Sequence, residues 1–382
     1  MGITLRRAPT SLRRRSLFGL VGLAAVDSVF GACAPVARKS ASVPSVAGGG
    51  LPLHLDLNEN PWGPSPRAVD AIRGGLDHLA RYTRDEASAL TRQIADYEGV
   101  ATDQVILGDV LETFVTDLAL RGGPGGEFVY SVPGYALFAD TAQRAGGRPI
   151  EVPLDVRLNN DLDALERTVS ARSRALFVVN PHNPSGTVSD PTALAAMLRR
   201  VSRTTPVLVD EAYVDFVDDW RDRTCVRLTR EVANVAVFRT FSKLHGLAAL
   251  SFGYLIASIE LVARLRNLGL GNPRSLIRLA VIAASASLGD EDFLSKMRKR
   301  IAIERALWEE ALGKLGLRRT QSFANFVFFE TGRAHLEFSA AMRAAGIEIG
   351  RSFPPRDRWA RISIGLPEEN ALARSAVDSI LH

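Results

Sequence analysis

Cysteine is nearly absent from this chain. Of 382 residues only Cys33 and Cys225 carry a thiol, and the first lies in an N-terminal leader, so the body can hold no internal disulfide. Histidine is scarce as well. The six are scattered without ligand spacing, and no metal site is expected. Apolar residues 17–30 form a run too short to span a bilayer. A real excess of one charge is also missing. The first 39 residues hold seven cations against one acid, Asp27, a net of +6 that leaves the rest of the +5 chain at −1. A near-neutral body offers no electrostatic footprint for nucleic acid or a membrane surface. Lysine is rare too: Lys243 is the only one between Lys39 and Lys296.

What is present is a composition 46% hydrophobic and 23% charged, that of a folded soluble body and not of a disordered chain. The length predicts two domains. Arg13-Arg14-Arg15-Ser16-Leu17-Phe18 opens a basic, then apolar, leader that ends near Ala32-Cys33-Ala34. This pattern resembles a twin-arginine signal and predicts export, to the periplasm, with a cytoplasmic location as the alternative. The only membrane association expected is through that signal. Lipidation at Cys33 is a weaker variant of the same reading. Residues 36–50 are rich in Ala, Ser, Pro and Gly and read as a flexible linker.

From residue 52 onward, short apolar runs alternate with helical periodicity. Ser65-Pro66 reads as a helix start with Ser as cap and Pro at the first position. Strands are expected at 105–108, 128–131, 149–153, 175–179, 207–209 and 235–238, with amphipathic helices between them. Near-continuous apolar strands of this kind predict a mostly parallel sheet covered on both faces. In such sheets ligands gather beyond the carboxyl ends of the strands. Gly108, Tyr135, Asn183, Asp210, Ser242 and Lys243 all fall at or just past those ends. The junction of strand, Gly108 and the helix at 111–120 presents unpaired N–H groups that suit a phosphate. A single amine among many arginines is a candidate nucleophile, because Lys can lose its proton and Arg cannot. Beyond 259 the chain turns helix-rich, with long helices at 276–288 and 293–315 and short strands at 326–329 and 361–364.

The segments LNENPWGPSP, VILGDVLE, PGYALF, NPHNPSGT, VLVDEAY, TFSKLHGLAALSFGY, ANFVFF and RISIG stand in the order found in the class I/II aminotransferases. The chain resembles those fold-type I pyridoxal 5'-phosphate (PLP) enzymes, and most of all their histidinol-phosphate aminotransferase branch. The resemblance implies an α/β fold with a mostly parallel, seven-stranded-type sheet in a large PLP-binding domain at 79–272. A smaller α+β domain would follow at 273–382, with an N-terminal segment at 52–78, a linker at 35–51 and a leader at 1–34. It implies transfer of an amino group between an amino donor and a 2-oxo acid. Lys243 then resembles the Schiff-base lysine that also carries the substrate Cα proton. Asp210 resembles the partner of the ring nitrogen, and Tyr213 and Asn183 the pair on the ring hydroxyl. Tyr135 resembles the aromatic stacked on the ring. The backbone at Val110 and Leu111, with Ser242, would hold the phosphate. Tyr82 resembles a tyrosine reaching that phosphate from a second subunit, which implies a homodimer. Arg361 would grip the substrate carboxylate, assisted by Asn325, beneath the closing segment that carries Asn58 and Asn60. Arg351 stands near the place of a side-chain-binding arginine, in a different local context.

The departures from the family pattern lie at the phosphate. Ser251 occupies a position where an arginine is usual, and the helix start reads Gly108-Asp109-Val110-Leu111-Glu112. His245 replaces an apolar residue beside the lysine. These changes keep two alternatives to transamination open: another fold-type I activity, a decarboxylase or lyase, and a degenerate PLP-binding homologue without catalysis.

Overall fold

The computed structural model describes residues 52–382. The leader at 1–34, with its export pattern and Cys33, and the linker at 35–51 lie outside the described residues.

Eleven strands lie along the described chain: β1 (Leu53–Leu55), β2 (Val105–Leu107), β3 (Glu127–Val132), β4 (Arg148–Pro153), β5 (Ser173–Val179), β6 (Val207–Asp210), β7 (Val235–Thr240), β8 (Gly253–Ile256), β9 (Phe326–Glu330), β10 (Ile347–Ile349) and β11 (Trp359–Ser363). Seven of them form one sheet in the order β2-β8-β7-β6-β5-β3-β4. All its pairings are parallel except those of β8 with β2 and β7. The period of two in each strand divides side chains between two helix layers. Leu176, Val178, Val207, Val209, Val235 and Val237 enter one core; Ala175, Phe177, Leu208, Ala236 and Phe238 enter the other. Because both faces are covered, the strands read in sequence as unbroken apolar runs, not alternating ones. Burying each of these larger side chains contributes about 1.5–3 kcal/mol. Phe177 also stacks on Phe138 at 4.6 Å.

The smaller domain builds its core between two two-stranded sheets, antiparallel β9/β11 and parallel β1/β10, and the helices Glu291–Lys314, His335–Ala344 and Pro367–Leu381. Inside it the Trp308 indole N–H donates to Asn370 Oδ1 at 3.0 Å.

Two details differ from the divisions read in the sequence. The helix Arg278–Leu288 falls past residue 273, yet Ala280, Val281, Ala283 and Ala284 pack in the large-domain core with Leu90 and Ile94. It is a small-residue helix, and small residues let neighbours approach. At Gly75, on the helix Pro66–Gly75, a Cβ would stand 2.2 Å from Ile282 Cδ1. The segment at 52–78 is likewise shared. Its strand β1 pairs with β10 of the small domain, and its helix, capped by Ser65 Oγ accepting from Ala68 N, packs with the large one.

Candidate active site

Lys243 follows β7 in a turn that must come close to the N-terminal segment. Gly246, at φ +70°, faces Gly63, whose carbonyl carbon would lie 2.4 Å from an added Cβ, so only glycine fits there. This approach places the half-buried Lys243 so that its Nζ donates to the Leu57 carbonyl at 3.0 Å. The ammonium lies 5.9 Å from the Tyr213 ring centroid. Ser242, one residue earlier, is held by its N–H donating to Thr240 Oγ1.

Asp210 is the last residue of β6, the neighbour of β7, and its carboxyl is buried. Burial pushes its pKa up to about 6, opposed by the Ala212 N–H it accepts and by the Lys243 charge. Among the described residues, no side chain donates to it. Such a carboxyl suits a cationic ring N–H brought by a ligand, since a partner of that charge would return it to the ionised form.

A polar network surrounds Tyr213. Its Oη accepts from Asn58 Nδ2 at 3.1 Å and Asn183 Nδ2 at 3.3 Å. Asn183 Oδ1 in turn accepts from Arg361 Nη1 at 2.7 Å, and Arg361 Nη2 donates to the Asp56 carbonyl at 2.5 Å. Arg361 is buried, and desolvation draws its pKa down to about 10. Among the described residues, its Nε and Asn325 Oδ1 have no hydrogen-bond partner. Asn325 Nδ2 fastens the backbone of Asn58 and Glu59, and Asn60 Nδ2 donates to the Leu244 carbonyl. Asn58 holds φ 55°, a left-handed conformation that Asn tolerates better than most residues. Tyr135 borders the same region, 37% exposed, its hydroxyl pKa raised by partial burial and by Asp210.

The phosphate end is built differently. Gly108, at φ 115°, turns β2 into the helix Leu111–Leu120, whose start carries no side-chain cap. Its first N–H groups therefore remain available to an anion. The side chains of Val110 and Leu111 are buried in the core, so only their backbone can serve. Across from them, Ser251 Oγ donates to Asp109 Oδ2 at 3.4 Å.

The structure thus brings Lys243, Asp210, Tyr213, Asn183, Tyr135, Asn58, Asn325 and Arg361 into one neighbourhood. Arg351 sits at its margin. Its guanidinium is engaged by the carbonyls of Ser352 and Gly134 and lies 4.4 Å from the Phe353 ring, against which Arg361 packs at 5.1 Å. Tyr82 is not among them: its ring is 73% exposed and bonds to none of these side chains. Sequence reasoning missed Ser363, which accepts from Asn58 N and donates to Asn58 Oδ1. The signal was available, since Ser363 lies two residues after Arg361 on β11 and so on the same face. It also missed the Asp56 and Leu57 carbonyls, which as backbone groups leave no mark in the sequence.

The family profile described as aminotransferase class I and II matches residues 52–377. A histidinol-phosphate aminotransferase of Limosilactobacillus fermentum is 32% identical over 85% of this chain and 89% of that protein. An aromatic amino acid aminotransferase of Thermobifida fusca is 37% identical over 84% of this chain and 88% of that one. The crystal structure of a histidinol-phosphate aminotransferase from Sinorhizobium meliloti, in complex with pyridoxal-5'-phosphate, superposes with a TM-score of 0.79 at 25% identity, covering 90% of this chain and 98% of that one.

Proposed function

This chain belongs to the class I and II aminotransferases, in the branch of the histidinol-phosphate enzymes, and is a PLP-dependent transaminase; from there we propose how its own residues divide the work and which substrates they favour. It takes an amino donor and a 2-oxo acid acceptor. Bound PLP supplies the electron sink that makes the substrate Cα–H bond acidic. Lys243 is the residue that would hold PLP, and as a free amine its Nζ would be the base placed to carry the substrate Cα proton. Asp210 would pair with the ring nitrogen and favour its cationic form. Tyr213 Oη, with Asn183, would hold the ring hydroxyl, and Tyr135 would cover the ring. The Val110 and Leu111 N–H groups and Ser242 would bind the phosphate.

Arg361 carries the substrate proposal. It is a buried cation that forms no salt bridge among the described residues, and a second cation, Arg351, packs against the same Phe353 ring. Arg361 suits the α-carboxylate or an equivalent anion in a two-pronged contact. Arg351 favours donors with a further anionic group, carboxylate or phosphate, over purely apolar ones. The test is a panel of amino donors and keto acceptors with the leaderless protein. Acidic and phosphorylated donors should give the highest kcat/KM. Equal turnover of neutral aliphatic donors, or release of ammonia or carbon dioxide without amino transfer, would overturn this reading.

Two further parts belong to the same proposal. Tyr82, exposed in one protomer, completes the phosphate site of a second copy in a homodimer. The 1–34 leader exports the protein, a reading supported by Arg14-Arg15-Ser16-Leu17-Phe18. Cell fractionation tests it: replacing Arg14 and Arg15 by Lys should retain the protein in the cytoplasm.

A further inference from the structure

A groove on the boundary between the two domains lies outside the site described above. It encloses about 430 Å³, within the range of small-molecule sites. One wall is the loop after β4, with Arg157; the other is the segment leading into β9, with Arg318 and Arg319. Leu158, Thr187 and Trp359, all buried, help to complete the lining. Among the described residues no carboxylate lines it, so three guanidinium charges share one concave surface.

The acids nearby leave these charges largely unmatched. Asp155 uses its carboxylate within its own loop, accepting from the N–H groups of Arg157 and Asn159 and from Asn159 Nδ2. Glu330 reaches Arg318 only at 4.0 Å. Arg318 Nη2 donates instead to the Val156 carbonyl at 3.1 Å, a bond that sets the two walls side by side, next to Arg157. Glu309, on the helix Glu291–Lys314, feels the Arg319 charge without forming a salt bridge with it. Among the described residues the Arg157 and Arg319 guanidinium groups form no hydrogen bond or salt bridge.

Like charges gathered in a concavity repel, and a counter-ion relieves them. A phosphate ester presents three acceptor oxygens and nearly two charges at neutral pH, so it can take guanidinium groups from more than one wall. We infer that this groove binds a small molecule carrying a phosphate or pyrophosphate group, bridged between Arg157 of the large domain and Arg318 and Arg319 of the small one. The bridge fastens the domains close to the contacts of the active site. Thr320 Oγ1, in the groove, donates to the Ser185 carbonyl at 2.6 Å, and Phe323 N to the Gly186 carbonyl at 2.8 Å. The loop they hold is the one that carries Asn183. Trp359 stands two residues before Arg361 on β11 and packs in one cluster with Phe353, the ring against which Arg361 lies. An anion held in the groove therefore steadies the Arg361–Asn183 bond from outside the reaction site.

Calorimetric titration of the PLP-loaded full chain with inorganic pyrophosphate, at constant ionic strength, tests this. One equivalent should bind per chain and raise the melting point. Arg157→Gln and Arg319→Gln should each weaken binding, and the double variant should weaken it by about tenfold or more, with unchanged kinetics in the absence of pyrophosphate. Arg361→Lys should keep the wild-type affinity for pyrophosphate. No binding, or binding that survives the double variant, would overturn the groove as a site. So would loss of binding in Arg361→Lys, because the anion would then occupy the substrate site. Weakening by only one of the two single variants would overturn the bridge between domains.

Discussion

Arg361 Nη1 lies 2.7 Å from Asn183 Oδ1, and that bond joins β11 of the small domain to the loop after β5 of the large one. The same Asn183 donates to Tyr213, so the proposed substrate anchor and the proposed ring-hydroxyl contact are one network. Arg361→Lys keeps the charge but cannot serve Asn183, Asp56 and a carboxylate together. Its KM for carboxylate substrates should rise by about one to two decades, the equivalent of a charged hydrogen bond at 1.5–3 kcal/mol, with a smaller effect on kcat. Steady-state kinetics on the best donor from the panel reads this split.

Tyr213→Phe removes the hydroxyl that both Asn58 and Asn183 donate to. Two buried amide N–H groups then lack their acceptor, at about 1–3 kcal/mol for each left unsatisfied. The cofactor-free protein should melt earlier, and the visible absorbance of the PLP-loaded enzyme should show a shifted pH dependence. An unchanged melting point would contradict the hydrogen bonds described.

Asp210 makes the cofactor-free protein less stable at neutral pH. Its folded pKa, about 6, lies above the ordinary aspartate value of 3.8, so the folded state holds the proton more tightly than the unfolded chain does. Stability from this group is therefore full below about pH 4 and is lost as pH rises through 6. Asp210→Asn should raise the melting point of the cofactor-free protein at pH 7 and leave it nearly unchanged at pH 4. In the loaded enzyme the same change should lower kcat by at least about a hundredfold. Thermal scans at the two pH values, set beside kinetics, separate these effects.

Arg239 lies buried on β7 among Glu211 at 3.2 Å, Asp215 at 2.5 Å and Glu98 at 3.6 Å. Arg239→Met would leave three buried carboxyls without a counter-ion, a loss of about 3–5 kcal/mol at neutral pH. Burial holds Glu98 and Glu211 above the usual carboxylate range, so they are the first to take up protons on acidification. The deficit should therefore narrow as pH falls. Melting curves from pH 5 to 8 show whether it does.

Tyr82 and Lys243 belong to different protomers of one site in the proposed dimer. Tyr82→Ala and Lys243→Ala proteins, each of low activity alone, should regain activity when unfolded and refolded together. Random pairing restores about a quarter of wild-type activity, since half the dimers are mixed and each has one complete site. No recovery would speak against a shared site.

The sequence made the large sheet legible because strands buried on both faces appear as apolar runs, and the turns that end them carry Asn183, Asp210 and Lys243. Ser65-Pro66 likewise announced its helix. The allegiance of the helix Arg278–Leu288 was not legible. Its alanines suit any close packing, and only the absent side chain of Gly75 shows which neighbour it takes. The Asp56 and Leu57 contacts were hidden for another reason: they are main-chain acceptors, common to every residue type.

The stretch from Leu55 to Pro66 begins in the small-domain sheet and ends in a helix packed with the large domain. It also supplies the Leu57 carbonyl to Lys243 and the Asp56 carbonyl to Arg361. It is therefore a tether of fixed length. A single residue inserted between Asn60 and Ser65 would withdraw both carbonyls at once, so this short span should be intolerant of length change even at positions where its side chains are free to vary.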